Sequence, residues 1–441
     1  MFHLGLGGAS KIFAGVPLSS ERVAMKKRNI CSVIALSLVL AAGAAGTSTL
    51  LVGADRVEAA QRNSVSPKVG RPLQAAQKLA GESKFKEAIA KAKEADEIEK
   101  KSQYETYMIN EILGSLYLQT RQYSNAAGAL EKSLGTEQLS SEDATARVKL
   151  LSQIYYQVKN YRKTVQYGLQ YLDSSANDTD TMVIVGQSYY LQKQYKNAGN
   201  MMRKVVNTSK RSRKKINETW LQLLMSIEYE QNNEPGVRAS LEDLIRYYPK
   251  DRYWRDYLKM VEKDLRGGTT KNALDLLRFR LSSGAMQNAK DYTDMAELAL
   301  QEGLPGDAQR ALEKGKVAGV IGKGPQAGRH ERLMNMATEQ AGTDKASLVD
   351  GESEAAAMPT GDADVSFGEA YWTYGDYTAA VAAVQRGIGK GVENMDDAQL
   401  RLGLAFLGAG DKTQATAEFK KITEGSPEST IADLWILKGS I

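Results

Sequence analysis

Small and aromatic residues return along this chain at fixed offsets. Gly114, Tyr117, Tyr123 and Ala126 are spaced by three, six and three residues; Gly186, Tyr189, Tyr195 and Ala198 repeat the spacing, and so do Gly368, Tyr371, Tyr377 and Ala380. Apolar residues continue the same face, with Leu130 four residues after Ala126 and Val384 four after Ala380. Steps of three and four place side chains on one side of a helix, and a unit recurring at about 34 residues predicts a stack of helical hairpins. The glycine is expected where two helices cross too closely for a Cβ. The first tyrosine packs one turn later, the second covers the turn, and the alanine faces the glycine from the second helix.

Sliding this pattern along the chain gives nine copies. They start near residue 69 (Ala76, Leu79, Phe85, Ala88, Ala92, Ala95), Tyr107, Thr145, Thr179, Glu218, Asp251, Ala289, Gly361 and Asp396. The third copy carries Ser152 and Thr164 in place of Gly and Ala, and Gly267-Gly268 in the sixth suggests a lengthened turn. Between the seventh and eighth copies the pattern fails. Residues 329–341 read as a helix with Leu333, Met336 and Ala337, Asp344–Leu348 as a second short one, and Asp350–Asp364 as an acidic, small-residue joint.

These residues resemble the tetratricopeptide repeat family over roughly residues 69–428. The resemblance implies an all-α fold, an α-α superhelix built as a right-handed solenoid of hairpins. It also implies a groove lined by the first helix of each hairpin, with the residue after that helix's tyrosine pointing into it. Those residues are Leu118, Tyr156, Tyr190, Tyr229, Leu300, Trp372 and Leu407. Tyr156, Tyr190 and Tyr229 come from three successive copies and would form an aromatic ladder, with Gln153 and Gln187 one turn away to pair with the backbone of an extended peptide. Adjacent helix residues point about 100° apart, so Tyr155 and Tyr189 are assigned to the core. The Lys/Asn carboxylate clamp of some family members is not matched: Lys149 with Gln153, and Val183 with Gln187, stand in its place. A narrower similarity, over residues 218–320, is to periplasmic members associated with TonB-type energy transduction; it rests on Tyr248–Trp254, Leu274–Leu277 and Gly303–Ala308.

The N-terminus changes the expected location. Met25-Lys-Lys-Arg28 is a positive start, Ile30–Ala45 an apolar run, and Val57-Glu58-Ala59 a small-residue cleavage site, the form of a secretory signal peptide. Residues 1–24 then read as an upstream extension, 25–59 as the signal and 60–68 as a linker. The alternative is an uncleaved anchor in the inner membrane, since Ile30–Val52 is about long enough to span a bilayer, although Gly43, Gly46 and Thr47–Thr49 weaken its second half. Cys31 lies at the start of the apolar run and is no lipid-attachment site. The expected location is the periplasm.

Cleavage would remove Cys31 and His3 and leave His330 as the sole imidazole, expected on a helix surface. No disulfide, Cys/His metal site or Ser-His-Asp triad can then be assembled. Gly319–Gly328 lacks the Gly-Lys-Ser/Thr of a phosphate-binding loop. No cofactor, metal or catalytic residue is assigned, and the chain is read as a non-enzyme. Its net charge of +5, or +2 without residues 1–59, gives no case for nucleic acid. One local exception is Lys210, Arg211, Arg213, Lys214 and Lys215, near Lys204, read either as a solvated loop or as a contact for an anionic lipid, polymer or acidic protein segment.

The expected organisation is a solenoid of about seven repeats over 69–324, a degenerate repeat and flexible joint over 325–360, and two repeats with a capping helix over 361–441. The expected function is a non-catalytic scaffold of the bacterial cell envelope that binds a protein partner through its groove, an accessory to an envelope transport or energy-transduction complex being one form of it. The other reading is an assembly or export factor for an envelope polymer, either a polysaccharide or an outer-membrane protein. Membrane contact would be peripheral or through the N-terminal segment.

Overall fold

The computed structural model describes residues 64–441. The signal segment, Cys31 and His3 lie outside them. Among the described residues there are twenty α-helices and no strand, so the chain is all-α and built of helical hairpins. It divides into two compact units at Glu234/Pro235, inside the fifth expected copy rather than at the 325–360 joint.

The first unit holds α1 (Pro67–Gly81), α2 (Phe85–Asp96), α3 (Gln103–Gln119), α4 (Tyr123–Leu134), α5 (Ser141–Gln157), α6 (Tyr161–Ser174), α7 (Thr179–Leu191), α8 (Tyr195–Arg211) and α9 (Glu218–Glu230). The second tyrosine of the pattern begins the second helix each time, at Tyr123, Tyr161 and Tyr195. Two residues before it the backbone is left-handed, at Ser83, Arg121, Lys159, Lys193 and Asn232, with φ between 53° and 61° for these five. The same position holds Gly303, Gly375 and Gly410 later in the chain. A side chain in this region costs roughly 1 kcal/mol that glycine avoids. Arg121→Gly, Lys159→Gly and Lys193→Gly are therefore each expected to be neutral or to raise stability by up to about 1 kcal/mol. Gly375→Ala should lower it by a similar amount, as read by chemical denaturation.

The crossing of each hairpin is close, but its partner differs from the expected alanine. A Cβ on Gly114 would sit 2.5 Å from Leu130 Cδ2, and one on Gly186 2.8 Å from Met202 Sδ. Gly368 faces Val384 and Gly403 faces Phe419 in the same way. In all four the facing side chain is sixteen positions on, while Ala126, Ala198, Ala380 and Ala415 are fully buried, and Ala380 meets the Gly368 crossing through its carbonyl oxygen. The third copy reverses the sizes. Ser152 takes the first position, and Gly168 takes the place of Leu130 and Met202, with Ser152 Oγ donating to Thr164 O at 3.1 Å. The joint keeps its volume by exchanging which helix carries the small residue.

The second unit holds α10 (Glu234–Tyr247), α11 (Asp251–Asp264), α12 (Thr270–Ser282), α13 (Ala289–Gln301), α14 (Pro305–Val317), α15 (Ala327–Ala357), α16 (Asp362–Thr373), α17 (Tyr377–Lys390), α18 (Met395–Gly408), α19 (Lys412–Phe419) and α20 (Pro427–Gly439). The expected joint is instead one helix: α15 runs unbroken for 31 residues. Its acidic half is held rather than flexible. Glu352 accepts from Tyr371 Oη at 2.8 Å and Arg386 Nη2 at 2.9 Å, Asp344 accepts from Tyr374 Oη at 2.6 Å, and Lys390 Nζ donates to the terminal carbonyls of Ala355 and Ala356 at 2.9 Å. Of the charges that suggested a solvated linker, Glu352 and Asp364 are paired with Arg386 and Lys390 of the neighbouring hairpin. His330, expected at the surface, is buried, and its Nδ1 accepts the Gly322 N–H at 3.2 Å.

Candidate functional site

The groove positions follow from the hairpin register. Counting from the small residue at the crossing, the first helices carry Gln153 and Tyr156 on α5, Gln187 and Tyr190 on α7, and Glu369 and Trp372 on α16, each pair one and four residues on. Both members of a pair share a helical face. Tyr229 on α9 falls at the same place as Tyr156 and Tyr190.

In the first unit the ladder is partly open. Tyr156 and Tyr190 are half-buried and Tyr229 is 39% exposed. Tyr156 Oη donates to Gln187 Oε1 at 2.8 Å, which joins adjacent repeats along this face. Burial pushes the Tyr156 hydroxyl up to about 12, so it stays a donor at neutral pH. Tyr156 leans on Tyr161, and Tyr190 on Tyr195, with ring centroids 6.0 and 5.6 Å apart. These tilted pairs fix the groove tyrosines from below. Gln153 is half-buried and Gln187 buried. Of the two residues assigned to the core, Tyr155 is buried, but Tyr189 is only half-buried.

The fifth copy has a carboxylate where Tyr155 and Tyr189 stand. Glu228 is buried, pairs with Arg203 of the preceding hairpin, and accepts from Asn233 Nδ2 at 2.6 Å. Nothing in the tyrosine pattern pointed to it. Its signal would have been a charged residue at a position that is apolar in other copies. Lys210, Arg211, Arg213, Lys214 and Lys215 are all exposed at and after the C-terminus of α8, where positive charge also complements the helix dipole.

In the second unit Trp372 is half-buried, as Tyr156 and Tyr190 are, and two arginines lie on its ring. The guanidinium carbons of Arg310 and Arg278 lie 4.6 and 5.3 Å from its ring centre, and its Nε1 donates to Leu404 O at 3.1 Å. Arg278 belongs to α12, whose charged side chains reach Glu369 on α16 and Asp397 and Arg401 on α18. Arg278 Nη1 donates to Glu369 Oε1 at 2.6 Å and its Nε to Asp307 Oδ2 at 2.6 Å. Asp275 accepts both arms of Arg401, at 2.6 and 2.5 Å. Lys271 reaches Asp397 at 2.7 Å and Glu369 at 3.3 Å. Asn272 Nδ2 donates to Glu428 Oε1 of α20 at 3.1 Å. Phe279 stands edge-on between Trp254 and Trp435, 5.1 and 5.0 Å away, a wedge that splays α11 from α12.

This network is buried: Asp275, Arg278 and Arg401 are 1–3% exposed. Burial alone would raise the pKa of Glu369, but Arg401, Arg278 and Lys271 outweigh it and hold the carboxyl well below the usual range. Asp397 is lowered too, burial again being outweighed by Arg401 and Lys271. These residues were not found from the sequence. Asp275 and Arg401 lie 126 positions apart, and only the close pairs Asp275/Arg278, Asp307/Arg310 and Asp397/Arg401 are visible locally. Among the described residues no group of three or more His, Cys, Asp or Glu is arranged to hold a metal ion, and no helix is long and apolar enough to cross a membrane.

Residues 397–429, from the first turn of α18 to that of α20, match the tetratricopeptide repeat family model. No curated protein matches the chain. Among solved structures, YrrB, a tetratricopeptide repeat protein with an unusual peptide-binding site, is similar at 14% identity over 45% of this chain and 93% of its own, with a TM-score of 0.31. A tetratricopeptide repeat protein from Parabacteroides merdae is similar at 12% identity over 62% of this chain and all of its own, with a TM-score of 0.30. A complex of Naa15/Naa10 bound to HypK-THB is similar at 16% identity over 83% of this chain and 59% of that one, with a TM-score of 0.36.

Proposed function

We propose that this tetratricopeptide repeat array is a protein–protein interaction scaffold whose partner docks on the first unit, along Tyr156, Tyr190 and Tyr229 with Gln153 and Gln187. The observation that carries the reading is the exposure of equivalent positions. Tyr156, Tyr190 and Tyr229 stay partly open on three successive first helices, and Tyr229 is 39% exposed. Aromatic side chains fixed from below offer large contact area at little entropic cost, which is where binding energy concentrates. On this reading the chain works in the cell envelope, exported by residues 25–59. The partner would be an envelope or inner-membrane complex, of which a TonB-type assembly is one form. The exposed run Lys210–Lys215 is the second surface we assign, to an anionic partner. The role as an assembly or export factor for an envelope polymer stays the alternative.

Replacing Tyr156, Tyr190 and Tyr229 together by Ala is expected to abolish partner recovery in a crosslinking pull-down from envelope fractions, each tyrosine contributing more than about 1 kcal/mol. Helicity and melting temperature should change little. Loss of folding would instead make the ladder part of the core. Intact folding with intact binding would move the site to Lys210–Lys215. N-terminal sequencing of the endogenous protein tests the location: a chain beginning near Ala60 supports export with cleavage, and a membrane-bound chain retaining Met25 supports the anchor.

A further inference from the structure

We propose that the outer face of α8, with the connection that follows it, holds the protein against an anionic lipid surface. This rests on the assignment of Lys210–Lys215 to an anionic partner, not on the Tyr156 groove. It names that partner as the headgroups of a bilayer leaflet.

The chain's positive charge is concentrated in this hairpin. Residues 181–217 hold nine of its 58 Lys/Arg and none of its 53 Asp/Glu, and without those nine the net charge of +5 becomes −4. Within α8 the cations follow the helix. Lys196, Arg203 and Lys210 recur at seven residues along one line, Asn200 and Asn207 lie between them, and Lys204 and Arg211 flank it. Seven residues is close to two turns, so from Lys196 to Arg211 this is a straight stripe about 22 Å long. Ala198, Met202, Val205 and Val206, on the opposite side of the helix, are buried. The stripe is therefore turned outward by the packing of the hairpin itself.

Neither helix stability nor pairing accounts for it. Lys210 and Arg211 sit where the helix dipole favours a cation, but Lys196 is in the first turn, where the dipole opposes it and no acid stands. Arg203 is paired with Glu228. Among the described residues Lys196, Lys204, Arg211, Arg213, Lys214 and Lys215 have no ion-pair partner, whereas the exposed Lys84 and Lys132 of the same unit each lie within ion-pair distance of a carboxylate. Like charges left together repel one another, and a facing polyanion relieves this. The exposed side chains of the stripe include no apolar or aromatic residue. A tight protein contact is built around such an anchor, and a single-stranded nucleic acid around a stacking platform. A leaflet of anionic headgroups needs neither, because it attracts a basic helix face charge by charge.

Co-sedimentation of the full-length protein with vesicles tests this. At low salt, vesicles of phosphatidylcholine with phosphatidylglycerol should bind it about tenfold or more tighter than phosphatidylcholine alone, and high salt should remove the difference. Lys196→Gln, Lys204→Gln and Arg211→Gln together should weaken binding to the anionic vesicles about tenfold or more. Lys68→Gln, Lys78→Gln and Lys86→Gln, an equal charge loss at exposed sites of the same unit, should change it by less than about twofold. The apolar run Ile30–Val52 is common to these proteins and cancels when the variants are compared. All six side chains are exposed, so helicity should not change. If the first variant does unfold, Arg213→Gln with Lys214→Gln and Lys215→Gln, beyond the helix, carries the same expectation. Equal losses in the two variants, or none in the first, would overturn the proposal. Binding to polyglutamate with none to anionic vesicles would overturn the lipid and leave the anionic partner standing; binding to neither would remove both.

Discussion

Asp275→Ala should be among the most damaging single substitutions in the second unit, lowering its stability by about 3–5 kcal/mol. Asp275 is 1% exposed and accepts from both Arg401 and Arg278. Removing it leaves two guanidinium groups buried with one counter-charge fewer, and that uncompensated charge, rather than the lost attraction, sets the size of the effect. The double variant Asp275→Leu with Arg401→Leu should cost less than the sum of its single changes, because it removes charge from both sides of the joint. Urea denaturation that resolves the two units would show the second melting early while the first is unmoved. A single-variant loss below about 1 kcal/mol would contradict the burial of this network. The same carboxylates set an acid limit. Glu369, Asp397 and Asp364 all have folded pKa values lowered from normal. The stability they add is therefore present above the unfolded carboxylate pKa of about 4, and it is lost as pH falls through 4 toward the lowered folded values.

Gly361→Val is the second large loss. A Cβ on Gly361 would run into the carbonyl group of Gly387, whose carbon would be 2.5 Å away, and a Cβ on Gly387 would come within 2.6 Å of Gly361 O. Backbone meets backbone there, and Gly361 N–H donates to Gly391 O at 2.9 Å, so α16 and α17 cannot separate without losing that bond. The expected cost is about 3 kcal/mol, at the top of the range for overpacking. Gly114→Ala is the control. Its new Cβ meets a side chain rather than backbone, Leu130 Cδ2 at 2.5 Å and Cγ at 2.9 Å, so a smaller loss of about 1 kcal/mol is expected. Thermal unfolding of the pair decides: equal losses would mean that the α16–α17 crossing is looser than drawn.

The hairpins were legible because their determinants are local. A small residue, a tyrosine three on and another six further all lie within one hairpin, and the second tyrosine opens its helix at Tyr123, Tyr195 and Tyr377. The left-handed turns were hidden, because Arg121, Lys159 and Lys193 do not advertise a conformation that Gly375 would. The Gly168/Ser152 reversal was half visible: Ser152 stood out as a departure, but its compensating glycine lay on the facing helix. The groove tyrosines followed from register alone. The covering of Trp372 did not, because the arginines on its ring, Arg310 and Arg278, are 62 and 94 residues earlier in the chain and no local spacing links them to it. Likewise, Asp350–Asp364 looked like linker until the cations that neutralise it, Arg386 and Lys390, were placed beside it.

The reach of α12 also sets the order in which the chain can finish folding. Each hairpin of the first unit closes on contacts within a few dozen residues, so loop-closure entropy is small and these repeats can form as they are made. α12 cannot. Its C-terminal end is tied to α20 by Lys438 Nζ on Ser282 O at 2.6 Å, 156 residues later. At about 5–20 residues per second, roughly 8–30 s of synthesis separate the two. Through that interval the leucines of α12 can pack on α13 and α14, but Phe279 lacks Trp435 and Asn272 lacks Glu428. The surroundings of α12 are therefore completed only when α20 returns, and C-terminal truncation should harm residues 270–282 before it harms the repeats beside the cut.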